Sequence, residues 1–203
     1  MPRKFGAPTY LASDQTSITI QWQQPQDNGG CPIFDYGVFR DADGTGAVWT
    51  EVNPSSLFPR FDPFISTFQC ETFPALTNVG SPFIFKVVAY NLQGSVTSTV
   101  SASILLASVP DKPAFPPTAD PDLTNGYQIR VEYKVVPGNG GSPLLSYELQ
   151  IGSLNLNDFV SVVGNDPQTL QLYFVITKGI VKGQSYALRY RAINSIGSGP
   201  WSD

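Results

Sequence analysis

The run Asp41-Ala-Asp43-Gly-Thr-Gly46 is the place where this sequence comes closest to metal chemistry. Its carboxylates stand at alternate positions, as calcium prefers. A full calcium loop also needs a third ligand and a bidentate glutamate at its twelfth position. Counted from Asp41, that position holds Val52. The run therefore reads as a hairpin turn. Histidine is absent, which removes the commonest general base, the commonest metal ligand and the usual pH switch. Catalysis would then need a Ser–Lys pair or paired carboxylates, and no spacing here offers either. The glycine pairs Gly29-Gly30 and Gly140-Gly141 are followed by Cys-Pro and Ser-Pro and a strand pattern, without the helix of a phosphate cradle. They read as turns. The expectation is a non-catalytic chain with no cofactor and no metal.

The two cysteines, Cys31 and Cys70, fall near the start of one strand and the end of another. A disulfide needs Cα atoms within about 7 Å, so two free thiols are expected. Net charge is −4, which argues against a phosphate-binding surface and hence against nucleic acid as partner. No run of about 18 apolar residues occurs, so no membrane insertion is expected of this stretch.

Elements that could position side chains come in duplicate. Ile18-Thr-Ile-Gln-Trp22 with Asn28-Gly-Gly-Cys-Pro-Ile-Phe-Asp-Tyr36 returns 111 residues later as Ile129-Arg-Val-Glu-Tyr133 with Asn139-Gly-Gly-Ser-Pro-Leu-Leu-Ser-Tyr147. Phe83 to Gly94 returns 103 residues later as Tyr186 to Gly197. A period of about a hundred residues means tandem domains, placed at 1–108 and 109–203. The strand signals have period two: Ile18, Ile20 and Trp22 alternate with polar residues, as do Ile129, Val131 and Tyr133. No segment holds a capped helical period. With 18 Gly and 18 Pro in 203 residues, many short strands joined by tight turns are expected. That is an all-β chain of two immunoglobulin-like sandwiches, about seven antiparallel strands each.

These residues resemble fibronectin type III repeats. That family has an aromatic on its second strand, a Gly-Gly-x-Pro-Ile-x-x-Tyr run into its third, and a Gly-x-x-Tyr-x-Phe-x-Val-x-Ala-x-Asn-x-x-Gly run along its sixth. Its seventh opens Gly-x-Gly-Pro-Trp-Ser. Gly183-Gln-Ser-Tyr186 through Asn194 to Ser202 matches nearly in full, and Trp22, Pro32 to Tyr36 and Phe83 to Gly94 match in the first repeat. The resemblance implies the sandwich fold and roles in adhesion or spacing. A weaker similarity runs to repeats of large multi-repeat proteins of ciliated protists. Three departures stand out. Phe83 replaces the tyrosine that closes the sandwich corner by hydrogen bonding, so the first repeat is expected to hold that corner by packing alone. Tyr133 replaces Trp, so the second core is expected to be slightly smaller. Arg-Gly-Asp is missing, so integrin binding is not implied. Trp201-Ser-Asp203 resembles only half of a cytokine-receptor motif, and the paired cysteines of such a receptor are absent.

Phe58, Arg60, Phe61 and Phe64 are the candidate partner-binding residues. The first repeat is eight residues longer than the second between Tyr36 and Phe83, and the excess falls around Leu57-Phe-Pro-Arg-Phe-Asp-Pro-Phe-Ile65. Arginine among aromatics is the composition of an interface hot spot. The joint holds Pro110, Pro113, Pro116 and Pro117, which favour extended backbone and suggest a stiff linker between domains with little mutual contact. The opening Met1 to Thr9 repeats the pattern of the joint, and the last strand of the second repeat is at least six residues short. The chain is thus expected to be a fragment of a longer array with an incomplete final strand. The function expected is a non-catalytic structural or adhesive spacer and protein-interaction module, extracellular or at the cell surface, able to assemble into filaments or a surface coat. Its partners would be proteins, or further copies joining through loops or the open strand edge. Two alternatives are an accessory carbohydrate-targeting module of a secreted enzyme and an intracellular or ciliary scaffold. The three tryptophans fall on different strands with no aromatic line, which disfavours the carbohydrate reading.

Overall fold

The computed structural model describes residues 1–41, 45–52, 64, 66–71, 73, 79–154 and 158–203. Every regular element among them is a strand. The chain forms two compact units, Met1–Ala107 and Ser108–Asp203.

In the first unit the strands are β1 (Thr9–Ser13), β2 (Ile18–Gln21), β3 (Asp35–Asp41), β4 (Trp49–Glu51), β5 (Thr67–Cys70), β6 (Pro82–Phe83), β7 (Phe85–Asn91), β8 (Gly94–Thr97) and β9 (Ile104–Leu105). They assemble as sheets β1-β2-β5 and β4-β3-β7-β8, with the short pair β6-β9. The second unit holds β10 (Thr118–Ala119), β11 (Ile129–Glu132), β12 (Leu144–Gly152), β13 (Val160–Val163), β14 (Tyr173–Ile176) and β15 (Ala187–Asn194). Its sheets are β10-β11-β14 and β13-β12-β15. The pairing is antiparallel and its register repeats. Tyr36 faces Ala89 and Val38 faces Val87, while Tyr147 faces Ala192 and Leu149 faces Tyr190.

Alternation decides which side chains meet between the sheets. Ile18, Ile20 and Trp22 are buried and Gln21 is exposed. The indole of Trp22 packs on Tyr36 at 5.5 Å between ring centroids, with Phe5 on the same tyrosine at 6.1 Å. In the second unit Tyr133 lies 6.0 Å from Tyr147 and 4.9 Å from Tyr190. The second core is therefore not simply a smaller copy. Tyr190 stands where the first unit has Val87, and its ring supplies volume that the Trp-to-Tyr exchange removes. Its hydroxyl donates to the Lys134 carbonyl at 3.0 Å and accepts from the Lys134 amide at 3.3 Å, so a polar tip is accommodated in a buried site.

The final strands are held by a device that the alternation pattern does not reveal. Ser98 and Ser101 donate their amides to the carbonyls of Val87 and Phe85. Their hydroxyls accept the amides of the same two residues, at 2.9 Å each. Ser202 treats Tyr190 alike, with its amide donating at 2.9 Å and its hydroxyl accepting at 3.2 Å. Serine hydroxyls thus replace ladder carbonyls where the strand bends away.

Leu149 is fully buried in the second core. Leu149→Ala is expected to cost about 3 kcal/mol, read as a lowered urea midpoint. Burial pushes the Tyr36 and Tyr133 phenols up to about 12. The folded chain therefore holds these protons more tightly than the unfolded chain, whose phenols ionise near 10. The corresponding stability is intact below about pH 10 and is lost as pH rises from there towards 12. Urea midpoints should stay level to about pH 9 and fall above 10.

Candidate interaction surfaces

Of the four candidate partner-binding residues, Phe58, Arg60 and Phe61 lie outside the described residues. Phe64 is described and is 86% exposed. With Pro25, Asn28, Pro32 and Ile33 it lines a hollow of about 450 Å³ on the first unit. A phenylalanine this exposed, beside the two prolines and Ile33, is a side chain that a contact site can use.

A second surface was missed by sequence reasoning. On the second unit, Arg189 of β15 stacks on Phe159 at 3.9 Å and on Trp201 at 4.4 Å, and Arg191 approaches the same Trp201 ring at 4.2 Å. Glu148 pairs with Arg191 at 2.8 Å, and Gln150 Oε1 accepts two hydrogen bonds from Arg189. The first unit has a shorter version, with the Lys86 ammonium 4.0 Å from the Trp49 ring and 5.8 Å from Phe39. Lys86 and Arg189 occupy equivalent places, 103 residues apart. Phe159 and Trp201 thus share one outer face of the second unit. The rings are covered by cations, which gives each stack a structural role. The one available signal was the outward phase of β7 and β15, which places a cation at the same step in both repeats.

At one end of the first sandwich, Arg40 is buried with only 4% of its surface exposed. Its guanidinium sits 5.3 Å from the Phe73 ring and 5.5 Å from Phe83. Burial pulls its affinity for protons below the ordinary guanidinium range, and the nearby Cys70 and Asp41 act in the opposite direction. The corner that lacks the tyrosine is therefore not held by packing alone. A cation against Phe73 and Phe83, whose centroids are 4.9 Å apart, takes over from the hydroxyl. In the second unit the tyrosine corner is intact. The Tyr186 hydroxyl accepts from the Val181 amide at 2.8 Å and donates to the Gly179 carbonyl at 3.1 Å.

Asparagines clamp the other end of each sandwich. The Asn91 amide donates to the carbonyls of Asn28 and Cys31, and that of Asn194 to those of Ser108 and Asn139. Gly140, with φ +71°, passes so close to Ser108 that an added Cβ would collide with its carbonyl. This explains the repeated Asn-Gly-Gly as a close-approach turn.

The acidic run considered for calcium is only partly described, since Asp43 lies outside the described residues. Asp41 is buried, and its carboxylate accepts the Ile84 amide at 2.9 Å, which ties the end of β3 to the residue before β7. Among the described residues no three His, Cys, Asp or Glu side chains cluster in a way that could hold a metal ion. Cys31 is half-buried and Cys70 fully buried, both as free thiols.

No protein-family model matches the chain. Among curated proteins, fibronectin type-III domain-containing protein 3A of Homo sapiens is 24% identical over 194 residues, covering 92% of this chain. Myomesin-2 of Homo sapiens is 26% identical over 197 residues, covering 96%. M-protein of striated muscle from Gallus gallus is 24% identical over 197 residues, covering 96%. The chain spans 14%, 12% and 13% of the lengths of these proteins. Among solved structures, the FN1-FN3 domains of chicken CNTN1 superpose with a TM-score of 0.56 at 16% identity, covering 100% of this chain and 65% of that one. A run of domains from titin gives 0.50 at 18%, covering 98% and 59%. At these identities the solved structures establish the fold, and it is that of tandem fibronectin type III sandwiches.

Replacing the corner hydroxyl tests the contrast between units. Tyr186→Phe is expected to lower the stability of the second unit by about 1 kcal/mol, with its strands retained, as read by urea unfolding and circular dichroism.

Proposed function

We propose that this pair of fibronectin type III-like sandwiches is a non-catalytic structural and protein-interaction module within a repeat array. The observation that carries the reading is the duplication itself. One sandwich is built twice with the same register, the same asparagine clamp and the same placement of a cation on an outer aromatic, while the loops between strands differ. Rigid frames with variable loops suit spacing and docking. The groups that could do chemistry support this, because they are engaged in the frame. Arg40 is stacked on two rings, Asp41 holds a backbone amide, and Glu148 is paired with Arg191.

The docking surface we assign is the loop of the first unit that carries Phe58, Arg60, Phe61 and Phe64, with protein as partner, including further copies of the chain. The cell surface or extracellular space is the location we infer. A second reading, an intracellular scaffold, is favoured by the free thiols, which suit a reducing compartment, and by similarity to a protein named for striated muscle.

Light scattering with small-angle X-ray scattering tests the module. Association that rises with concentration is expected, and Phe58→Ser/Phe61→Ser/Phe64→Ser is expected to abolish it. Association unchanged in the triple variant would remove the loop from the proposal and leave the open strand edges as the joining surface.

A further inference from the structure

The two sandwiches differ at one place in a way that the repeat makes readable. Between the sheets of the first unit, at the end near β6, the space is filled by Arg40, Phe73 and Phe83. The register locates the equivalents in the second unit. Arg40 faces Phe85 across β3 and β7, and Ile151 faces Leu188 across β12 and β15, so Ile151 stands for Arg40 and Gly152 for Asp41. Cys70 pairs with Ile18, and Ile176 with Ile129, so Gly179, three residues beyond Ile176, stands for Phe73. Tyr186 stands for Phe83. An arginine, an aspartate and a phenylalanine have thus become an isoleucine and two glycines.

The consequence is a cleft of about 790 Å³ in the second unit, lined by Ile151, Gly152, Phe174, Ile176, Gly179 and Tyr186 among others. A Cβ added at Gly179 would meet open space. The volume lies in the range of sites that take a ligand rather than of packing defects. The walls are largely apolar, and Asp158 and Lys178 flank them. Backbone hydrogen bonding does not close the site either, because β13 and β14 on its two sides are the outer strands of their sheets.

What fills the corresponding space in the first unit states the chemistry that fits, namely a guanidinium against a packed pair of aromatic rings. The segment Leu57-Phe-Pro-Arg-Phe-Asp-Pro-Phe-Ile65 carries the same groups, one arginine among three phenylalanines. The charges that flank the cleft, Asp158 and Lys178, are opposite in sign to the Arg60 and Asp62 that this segment carries in its sequence. We propose that the cleft of the second unit receives the Leu57–Ile65 segment of a second copy of this chain. The contact is heterologous, with a loop of one copy entering a cleft of the next. Such contacts propagate into open chains unless the rotation between copies closes a ring. This inference rests on the reading of the chain as a protein-interaction module and names the partner of its loop.

The test uses the full chain and a synthetic peptide of the sequence Leu57–Ile65, with binding followed by NMR shifts and calorimetry. Shifts are expected at Ile151, Ile176 and Tyr186. Ile151→Arg, which restores the residue of the first unit, is expected to weaken the peptide at least about tenfold, with the melting curve reporting whether the variant is folded. A peptide carrying Arg60→Glu is expected to bind several-fold more weakly than the parent, about what one lost charge pair at a partly exposed site gives. Four outcomes overturn the proposal: no peptide binding, shifts confined to the first unit, equal affinity for folded Ile151→Arg, or a cleft that takes a small apolar dye but not the peptide. Chain association that depends on Phe58, Phe61 and Phe64 but survives Ile151→Arg would overturn this inference alone and leave the module reading standing.

Discussion

Each sandwich depends on one contact, the aromatic of its second strand laid across the tyrosine that enters its third. Trp22 on Tyr36 and Tyr133 on Tyr147 join the two sheets through the middle of the core. A sheet with one apolar face must cover that face, and in a domain of about a hundred residues the only cover available is the other sheet. Once these rings meet, the phase of every strand follows, because a slip of one residue would turn the apolar set outward. The outward set is then free to differ, and so are the ends of the sandwich and its loops.

That freedom appears in how the two units solve the same problems with different atoms. Loss of the indole in the second unit is offset by Tyr190, whose hydroxyl is accommodated by both backbone groups of Lys134. Loss of the corner hydroxyl in the first unit is offset by a guanidinium packed against Phe73 and Phe83. In both cases the backbone register is kept while the filling changes. The exchange at the corner has a further effect, since the unit that keeps its tyrosine is the one in which the neighbouring space lies open.

The outer faces follow another rule. Cations on β7 and β15 lie over aromatic rings brought in from elsewhere in the same unit, which holds the long side chains in place. Arg191 gains a carboxylate partner as well, whereas Arg189 is held by the carbonyl of Gln150.

The sandwich, its duplication and its inward-facing residues were legible in the sequence, because alternation, turn glycines and a hundred-residue period are local properties that one strand pair can satisfy at a time. Ile18, Ile20, Trp22, Val131 and Tyr133 face the core because of that alternation, and the glycine pairs make turns for the same local reason. What only the tertiary structure decided was which side chains from distant strands share a space. Arg40 reads in sequence as an ordinary strand residue, and only the approach of Phe73 and Phe83 makes it a buried plug. Ile151 and Gly179 are unremarkable 28 residues apart, and only the packing of one sheet on the other turns them into the walls of a cleft. Periodicity fixes the direction in which a side chain points, whereas the volume it finds there is a sum over strands far apart in the chain.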